Sequence, residues 1–270
     1  MRIRALVLAA SSAVALSALA VPAAQAAPAA TTYTFSSVKV NSGKPIVVGP
    51  TAKVTVSASY TVTGSATLDP DTTISIPVLY RGTTLSENTP DKDVLAGDEP
   101  STCTAASATV LKCTAKIQLR PKSTDEEFAD LTNAQAGNWK IGAAVFSVGD
   151  EDPVIKSNLG TAKVQRKATL TANAAPEPVK KGKTITVTGK LARANWDTNK
   201  NAGYASQSVK LQFRKKGSST YTTVKTIKSS STGTLKTTVK ASADGYFRYV
   251  FAGTTTTSPV TSAGDFVDVK

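Results

Sequence analysis

The amino-acid sequence predicts an all-β chain, and three observations support that prediction. Short segments alternate strictly between apolar and polar residues, which is the pattern of a half-buried strand. Turn-forming residues, above all Gly, Pro, Asp, Asn and Ser, separate these segments, and no segment repeats its apolar residues with the period of a helix. Aromatic residues make up only 6% of the chain, while threonine, serine and valine are plentiful, and this composition favours sheet over helix.

The first half contains about six predicted strands. Long alternating segments cover residues 54–62, 72–80, 109–119 and 138–146, and shorter ones lie at Tyr33–Val40 and Leu159–Gln165. In the second long segment, Ile74, Ile76, Val78 and Tyr80 are expected to face the core, and Pro77 indicates an edge strand or a bulge. The pattern predicts an immunoglobulin-like sandwich for residues 27–166.

A second set of strands begins near Lys167. In "VKLQFRKKG" (209–217) apolar and cationic residues alternate up to a predicted hairpin turn around Gly217, and "YTTVKTIKS" shows the looser pattern of an edge or bulged strand. Further alternating segments follow to the end of the chain. The sequence thus predicts two tandem immunoglobulin-like (fibronectin III-like) sandwiches, residues 27–166 and 167–270, placed end to end with almost no linker.

The second half also resembles a known family. The segments "TLTANAAPEPVKKGKTITVTGKL", "ADGYFRYVFAGT" and "AGDFVDVK" are similar to bacterial Ig-like modules of secreted actinobacterial (Streptomyces-like) proteins. The resemblance covers residues 168–270, and upstream it is limited to the N-terminal segment and "VNSGKPIVVG". It implies the fold and export. Some similar chains carry a calcium-binding label, but the resemblance assigns it to no residue here.

Residues 1–26 have the pattern of a secretory signal peptide. Arg2 and Arg4 precede an uncharged run of Ala, Leu and Val that ends in Ala24-Gln25-Ala26, a small-residue cleavage motif. No later apolar run approaches the roughly 20 residues that cross a bilayer. The mature protein is therefore expected to be secreted, without a transmembrane segment.

Cys103 and Cys113 are the only cysteines of the 270-residue chain. An even number of cysteines in an exported protein predicts a disulfide. A metal or redox pair is the weaker interpretation, because the spacing is not Cys-x-x-Cys and no other soft ligand accompanies it.

The chain contains no histidine, and this excludes several kinds of chemistry. Ser-His-Asp and Cys-His catalysis need an imidazole base, and most catalytic zinc sites need an imidazole ligand. Paired carboxylates also serve glycoside hydrolysis, but a small sandwich with short turns offers no evident cleft for a sugar. We expect a non-enzymatic protein that needs no cofactor, with calcium as the open exception.

Acidic residues gather in the predicted turns of the first half, and two interpretations remain open. Carboxylates from two loops at one end of a sandwich are the hard oxygen ligands that Ca²⁺ uses, although none of the segments has EF-hand spacing. Acids in exposed turns are also ordinary solubilising residues. The candidate ligands are Asp91, Asp93, Asp98, Glu99, Asp150, Glu151 and Asp152.

The basic charge belongs to the second half. Residues 27–166 hold 13 Lys and Arg against 14 Asp and Glu, a net charge of −1, whereas residues 167–270 hold 17 against 5, a net charge of +12. Such a field attracts anionic cell-wall polymer or other extracellular polyanions without selecting among them. Lysines on an exposed sheet edge also discourage aggregation, so the solvated face stays an alternative. The candidate residues are Lys210, Arg214, Lys215, Lys216, Lys225 and Lys228.

Trp196 and Tyr204 lie in "RANWDTNKNAGYASQ", which the sequence predicts as the longest loop of the second half. They are candidates for exposed binding aromatics, or they fold back over the core. Two scattered aromatics do not form a recognisable nucleic-acid module. The leading hypothesis is a secreted binding protein that the basic half holds near the anionic envelope, while the first half contacts another protein or a solute. The alternative is a calcium-dependent binder.

Overall fold

A computed structural model describes residues 31–121, 131–149 and 152–270, so the predicted signal peptide lies outside the described residues. Strands form nearly all of its regular structure, and the all-β prediction is confirmed. In the described part of the chain, no helix is long and apolar enough to span a bilayer. Among the described residues, short 3-10 turns lie at Asn41–Gly43, Asp91–Asp93 and Asn133–Gln135.

Within the described residues of the first half, nine strands form two sheets. They are β1 (Tyr33–Val40), β2 (Ile46–Val48), β3 (Val54–Gly64), β4 (Thr73–Tyr80), β5 (Val94–Leu95), β6 (Thr102–Ser107), β7 (Val110–Leu119), β8 (Gly137–Ser147) and β9 (Val154–Arg166). The sheet orders are β1-β3-β7-β6 and β2-β9-β8-β4-β5. All neighbours are antiparallel except the parallel pair β2–β9. Val56 and Ile117 of one sheet share a buried cluster with Leu79 and Trp139 of the other, so the sheets enclose a sandwich core.

The predicted inward face of β4 is wrong. Leu79 belongs to the core between the sheets, whereas Val78 and Tyr80 lie on the other face, in a small cluster with Leu85. The reason is that the segment after β4 folds back over the outer face and covers it. Both faces of β4 are therefore shielded, and apolar alternation no longer tells the inner face from the outer one.

Pro77 stands at a local sheet edge, as the sequence predicts. It pairs with Ala143 of β8 on one side, while β5 on the other side reaches only Leu79 and Tyr80. No ladder hydrogen bond is needed from position 77 on that side, so the missing N–H of proline costs nothing there.

Ten strands form the second half, again in two sheets. They are β10 (Ala168–Leu170), β11 (Asn173–Ala175), β12 (Thr184–Asn195), β13 (Lys200–Gly203), β14 (Ser208–Lys215), β15 (Thr222–Lys228), β16 (Thr234–Lys240), β17 (Gly245–Phe251), β18 (Val260–Thr261) and β19 (Asp265–Val267). In one sheet β12 pairs with β10, β11, β13 and β16; the other runs β15-β14-β17-β18, with β19 also on β17. Val187 and Leu235 of the first sheet cluster with Leu211 and Tyr249 of the second.

The segment predicted as the longest loop is instead a hairpin. β12 continues to Asn195 and pairs with β13, with Asn195 opposite Lys200. Only residues 196–199 form the connection, and Asn199 adopts a positive φ of 54°, a conformation that asparagine tolerates better than most residues.

Trp196 joins the two halves. Its side chain is fully buried and belongs to the hydrophobic cluster of the first half, although it follows β12 of the second half. Its indole N–H donates to the carbonyl oxygen of Gly49 at 3.0 Å. Asn133 adds to the contact, since its side-chain oxygen accepts the Trp196 backbone N–H at 2.9 Å. The two halves therefore share an apolar contact at this junction, and their division into two tandem domains stays a prediction.

Arg166 lies at the same junction. Its side chain is 7% exposed, and its Nε donates to the carbonyl oxygen of Ala194. Burial lowers the pKa of Arg166 to about 10, and the neighbouring charge of Arg193 acts in the same direction. Such a guanidinium keeps its proton at neutral pH, so the junction holds a positive charge at a cost in stability.

Candidate polyanion-binding face

Strand alternation divides the basic residues of β14 from its core residues. Val209 and Leu211 are fully buried, so Lys210, Gln212 and Arg214 point away from the core. On the edge strand β15, Lys228 lies opposite Ser208 and therefore shares this outward side with Lys210. We call the outward side of strands β15, β14, β17 and β19 the basic face.

The other predicted cations lie elsewhere. Lys225 stands opposite Leu211, so it emerges on the core-facing side of the sheet edge. Lys215 ends β14, and Lys216 begins the turn around Gly217, whose φ of +80° suits a hairpin turn. Lys216 forms an ion pair with Asp244 at 3.6 Å, which partly neutralises it. Of the six predicted residues, the fold brings Lys210, Arg214 and Lys228 onto one surface.

The sequence did not predict a second component of the basic face, a row of alternating arginines and aromatic rings. Tyr246 stands opposite Arg214 and Phe266 in the strand registers. The Arg214 guanidinium carbon lies 4.2 Å from the Tyr246 ring centroid, and the Tyr246 and Phe266 centroids are 5.1 Å apart. Tyr221 extends the row, with the guanidinium carbon of Arg248 3.6 Å and that of Arg214 5.3 Å from its centroid. We call these five half-buried residues the arginine–aromatic row.

Part of this row was open to prediction. The period-2 pattern of "GYFRYVF" places Tyr246 and Arg248 on one side of β17, and that signal was available. Tyr221 belongs to the turn before β15, and no periodicity places a turn residue over a neighbouring strand.

The arginines of the row have no acidic partner among residues 31–121, 131–149 and 152–270. Neither Arg214 nor Arg248 has a carboxylate oxygen within 4.0 Å among the described residues. Arg248 donates through Nε to Gln212 Oε1 at 2.9 Å, and Arg214 donates through Nη1 to the Ser218 carbonyl oxygen at 2.6 Å. A guanidinium carries five N–H donors, so most of the donors of both arginines remain available to a ligand.

Tyr204, predicted as an exposed aromatic with Trp196, is half-buried, so the structure overturns both predictions of exposure. The Tyr204 ring packs against Phe251 with centroids 5.7 Å apart, and the Arg193 guanidinium carbon lies 3.8 Å from its centroid. Both residues take the alternative role that the sequence left open, folding back over a core.

The candidate calcium ligands do not converge in the part of the chain that the structure describes, where no group of three or more carboxylate or thiol side chains could hold a metal. Asp91 and Asp93 lie in a 3-10 turn, and Glu99 and Asp152 are exposed. Asp98 is engaged by Arg120 at 3.6 Å and by the side-chain amide of Gln118. Asp150 and Glu151 lie outside the described residues, so calcium binding stays a prediction.

An open groove corrects the expectation that the first half offers no cleft. It has a volume of about 680 Å³ and is lined by the segments 81–93 and 132–135. Hydroxyl and amide groups share its wall about equally with apolar surface, with Arg81 and Lys92 as cations and Asp93 as the one carboxylate among the described lining residues. Glycoside hydrolysis requires a pair of carboxylates, which this groove does not present among the described residues.

The predicted disulfide is confirmed. Cys103 of β6 and Cys113 of β7 are directly opposite in the strand register, and their sulfur atoms are 2.04 Å apart. The bridge joins an exposed edge strand to its buried neighbour, which is a structural position.

No family model and no curated protein matches the chain. Similar solved structures include a chimeric titin Z1Z2-Z1Z2 tandem, with 12% identity, a TM-score of 0.29, and coverage of 88% of this chain and 100% of that one. Fibronectin(III)-like modules of Clostridium thermocellum CbhA have 13% identity, a TM-score of 0.30, and coverage of 88% and 95%. A marsupial T cell receptor has 13% identity, a TM-score of 0.40, and coverage of 88% and 72%. These likenesses say nothing of what this chain binds.

Proposed function

We propose that the protein is a secreted, non-enzymatic binding protein that attaches to anionic cell-wall polymer or another extracellular polyanion through the basic face. One observation supports this above all: Lys210, Arg214, Lys228 and Arg248 share one surface without an ion-pair partner within the described residues. They do so in a half whose net charge is +12.

The physical basis is counterion release. A polyanion carries condensed cations, and a protein that replaces them returns them to solution, which favours binding at low salt. Four fixed cations on one face meet neighbouring charges of one polymer, whereas scattered cations on several faces do not. The first half, with a net charge of −1, has no comparable field and leaves its open groove for a protein or a solute.

The disulfide supports the proposal that the protein is exported. A cross-strand bridge such as Cys103–Cys113 persists in an oxidising compartment and is rare in a reducing cytosol. The N-terminal pattern of residues 1–26 points the same way.

The test is a titration of the mature chain, residues 27–270, with double-stranded DNA as a calibrated polyanion at increasing KCl concentrations. If four cations contact phosphates, the logarithm of the association constant falls with the logarithm of salt with a slope of about −3.6. A slope near zero, or no binding at low salt, would overturn the proposal.

A further inference from the structure

The packing of Tyr221 holds the side chains of the arginine–aromatic row in place. Tyr221 reaches from the turn before β15 across the basic face towards β19, where its hydroxyl oxygen lies 2.5 Å from the position that a Cβ atom on Gly264 would take. A side chain at position 264 would displace the tyrosine, so glycine is what permits this placement. The ring then lies against Arg248 and Arg214 and restrains both.

The row fixes two guanidinium planes near each other. Both guanidinium carbons lie close to the same Tyr221 centroid, so they are separated by at most 8.9 Å, the sum of the two distances 3.6 and 5.3 Å. A guanidinium held by a ring loses less conformational freedom when it binds, and its fork matches a carboxylate through two parallel N–H···O bonds. The row therefore offers two directed anion contacts, unlike the point charges of Lys210 and Lys228.

The aromatic rings limit which anionic polymer fits. Tyr246 and Phe266, at the other end of the row, pack with their ring planes tilted by 54° and present apolar surface next to Arg214. A sugar ring that carries a carboxylate combines an apolar C–H face and an anion within one residue. That combination matches a ring and a guanidinium 4.2 Å apart.

We propose that the arginine–aromatic row is a binding site for an acidic polysaccharide whose sugars carry carboxylates. Arg214 and Arg248 each donate hydrogen bonds to a carboxylate, and the sugar rings pack on Tyr246 and Phe266. The inference rests on the proposed function and deepens it, because it names the ligand class and separates directed contacts from the general attraction of the lysines.

The test compares three probes of matched charge on the full mature chain: oligogalacturonate, polyphosphate and polyglutamate. In the double variant Arg214→Lys/Arg248→Lys the charge is unchanged and both forks are lost. We expect oligogalacturonate affinity to fall about tenfold. Phosphate also accepts the guanidinium fork, so polyphosphate affinity falls as well, and the two polymers are separated by a second variant, Phe266→Ala. This variant keeps the charge but removes apolar contact for the sugar ring, so oligogalacturonate affinity should fall about threefold and polyphosphate affinity by less than about twofold. The matched control is Lys236→Arg/Lys240→Arg, which conserves charge on the opposite sheet and leaves all affinities unchanged. The single variant Arg248→Lys, with an expected loss of about threefold, serves if the double variant unfolds.

The outcomes separate the two proposals. Equal loss for oligogalacturonate and polyphosphate in Phe266→Ala, or no loss for either, overturns the polysaccharide site while the proposed function stands. Polyglutamate that binds as tightly as oligogalacturonate, with the same loss in the variant, also overturns it and assigns the row to acidic peptides. A wild-type chain that binds none of the three probes overturns both.

Discussion

Trp196 follows β12 in sequence, yet its indole fills the core of the other half. The side chain is fully buried among residues of both sheets of the first half, and its N–H is satisfied by Gly49. Sequence alone did not decide between exposure and burial, because the contact lies between segments about 150 residues apart. The residues around a tryptophan in a polar, turn-rich segment show no pattern from which its burial or its packing partners can be predicted.

Replacement of Trp196 tests the contact between the two halves. Trp196→Ala should lower the free energy of unfolding of the first half by about 3 to 5 kcal/mol, because it leaves a large cavity and removes the hydrogen bond to the Gly49 carbonyl oxygen. Urea unfolding of the mature chain measures the loss. Tyr221→Ala, an aromatic truncation on the surface of the second half, is the matched control and should cost about 1 kcal/mol or less. A Trp196→Ala loss as small as that of the control would mean that the halves do not share this contact.

Tyr249 gives the stability a dependence on alkaline pH. Burial raises the pKa of its phenol to about 12, and its hydroxyl donates to the Val187 carbonyl oxygen at 2.9 Å. In the unfolded chain the phenol ionises near pH 10, so above that pH the unfolded state holds fewer protons and the free energy of unfolding falls.

The expected loss from Tyr249 is about 1 kcal/mol between pH 9 and pH 11. Denaturation of the wild type and of Tyr249→Phe at both pH values measures it. Arg166, whose lowered pKa acts with the opposite sign in this range, is present in both proteins and cancels in the difference. If the variant is equally sensitive to alkali, Tyr249 is not the titrating group.

At the scale of elements, alternation predicted the strands that are buried on one face. The burial of β3, β7 and β14 follows the alternation closely. The sequence also correctly predicted that β15 is an edge strand and that a turn lies at Gly217. Alternation was wrong for β4, because a loop covers the outer face, and it missed the pairing of β12 with β13, because that hairpin carries too few apolar residues to show a period. Where burial comes from a distant segment, local pattern does not reveal it.

The β6–β7 hairpin shows how an edge is secured. Cys103 lies on an edge strand whose side chains are mostly exposed, while Cys113 is buried with Val62 and Leu111. Burial of side chains therefore contributes little to the stability of β6 in the sheet, and the disulfide contributes more.

Cys103→Ser/Cys113→Ser should lower the free energy of unfolding by about 2 to 3 kcal/mol, the range expected for a short closed loop. Chemical denaturation of the oxidised wild type and of the double variant gives the difference. Hydrogen exchange should show that β6 loses protection while β3 keeps it. Uniform loss of protection in both strands would contradict a local role for the bridge.

For the whole molecule, the sequence revealed the uneven charge, and the fold determines how it is presented. The values of −1 and +12 follow from composition, but they do not show that Lys225 leaves the basic face or that Lys216 is paired with Asp244. The arginine–aromatic row needs three strands and a turn to meet, so only part of it was predictable. The proposed function depends on this presentation, on one face, and not on net charge.

The most direct measurement compares two triple reversals of equal charge in the mature chain. Lys210→Glu/Arg214→Glu/Lys228→Glu changes the basic face, and Lys190→Glu/Lys236→Glu/Lys240→Glu changes exposed outward positions of the opposite sheet. The dissociation constant for wall teichoic acid is measured at low salt for both variants and the wild type, after equal unfolding midpoints are verified. We expect the first variant to bind at least about tenfold more weakly than the second, since it removes the cations that meet the polymer. Equal weakening in both variants would mean that net charge alone attracts the polymer and that the basic face has no special role.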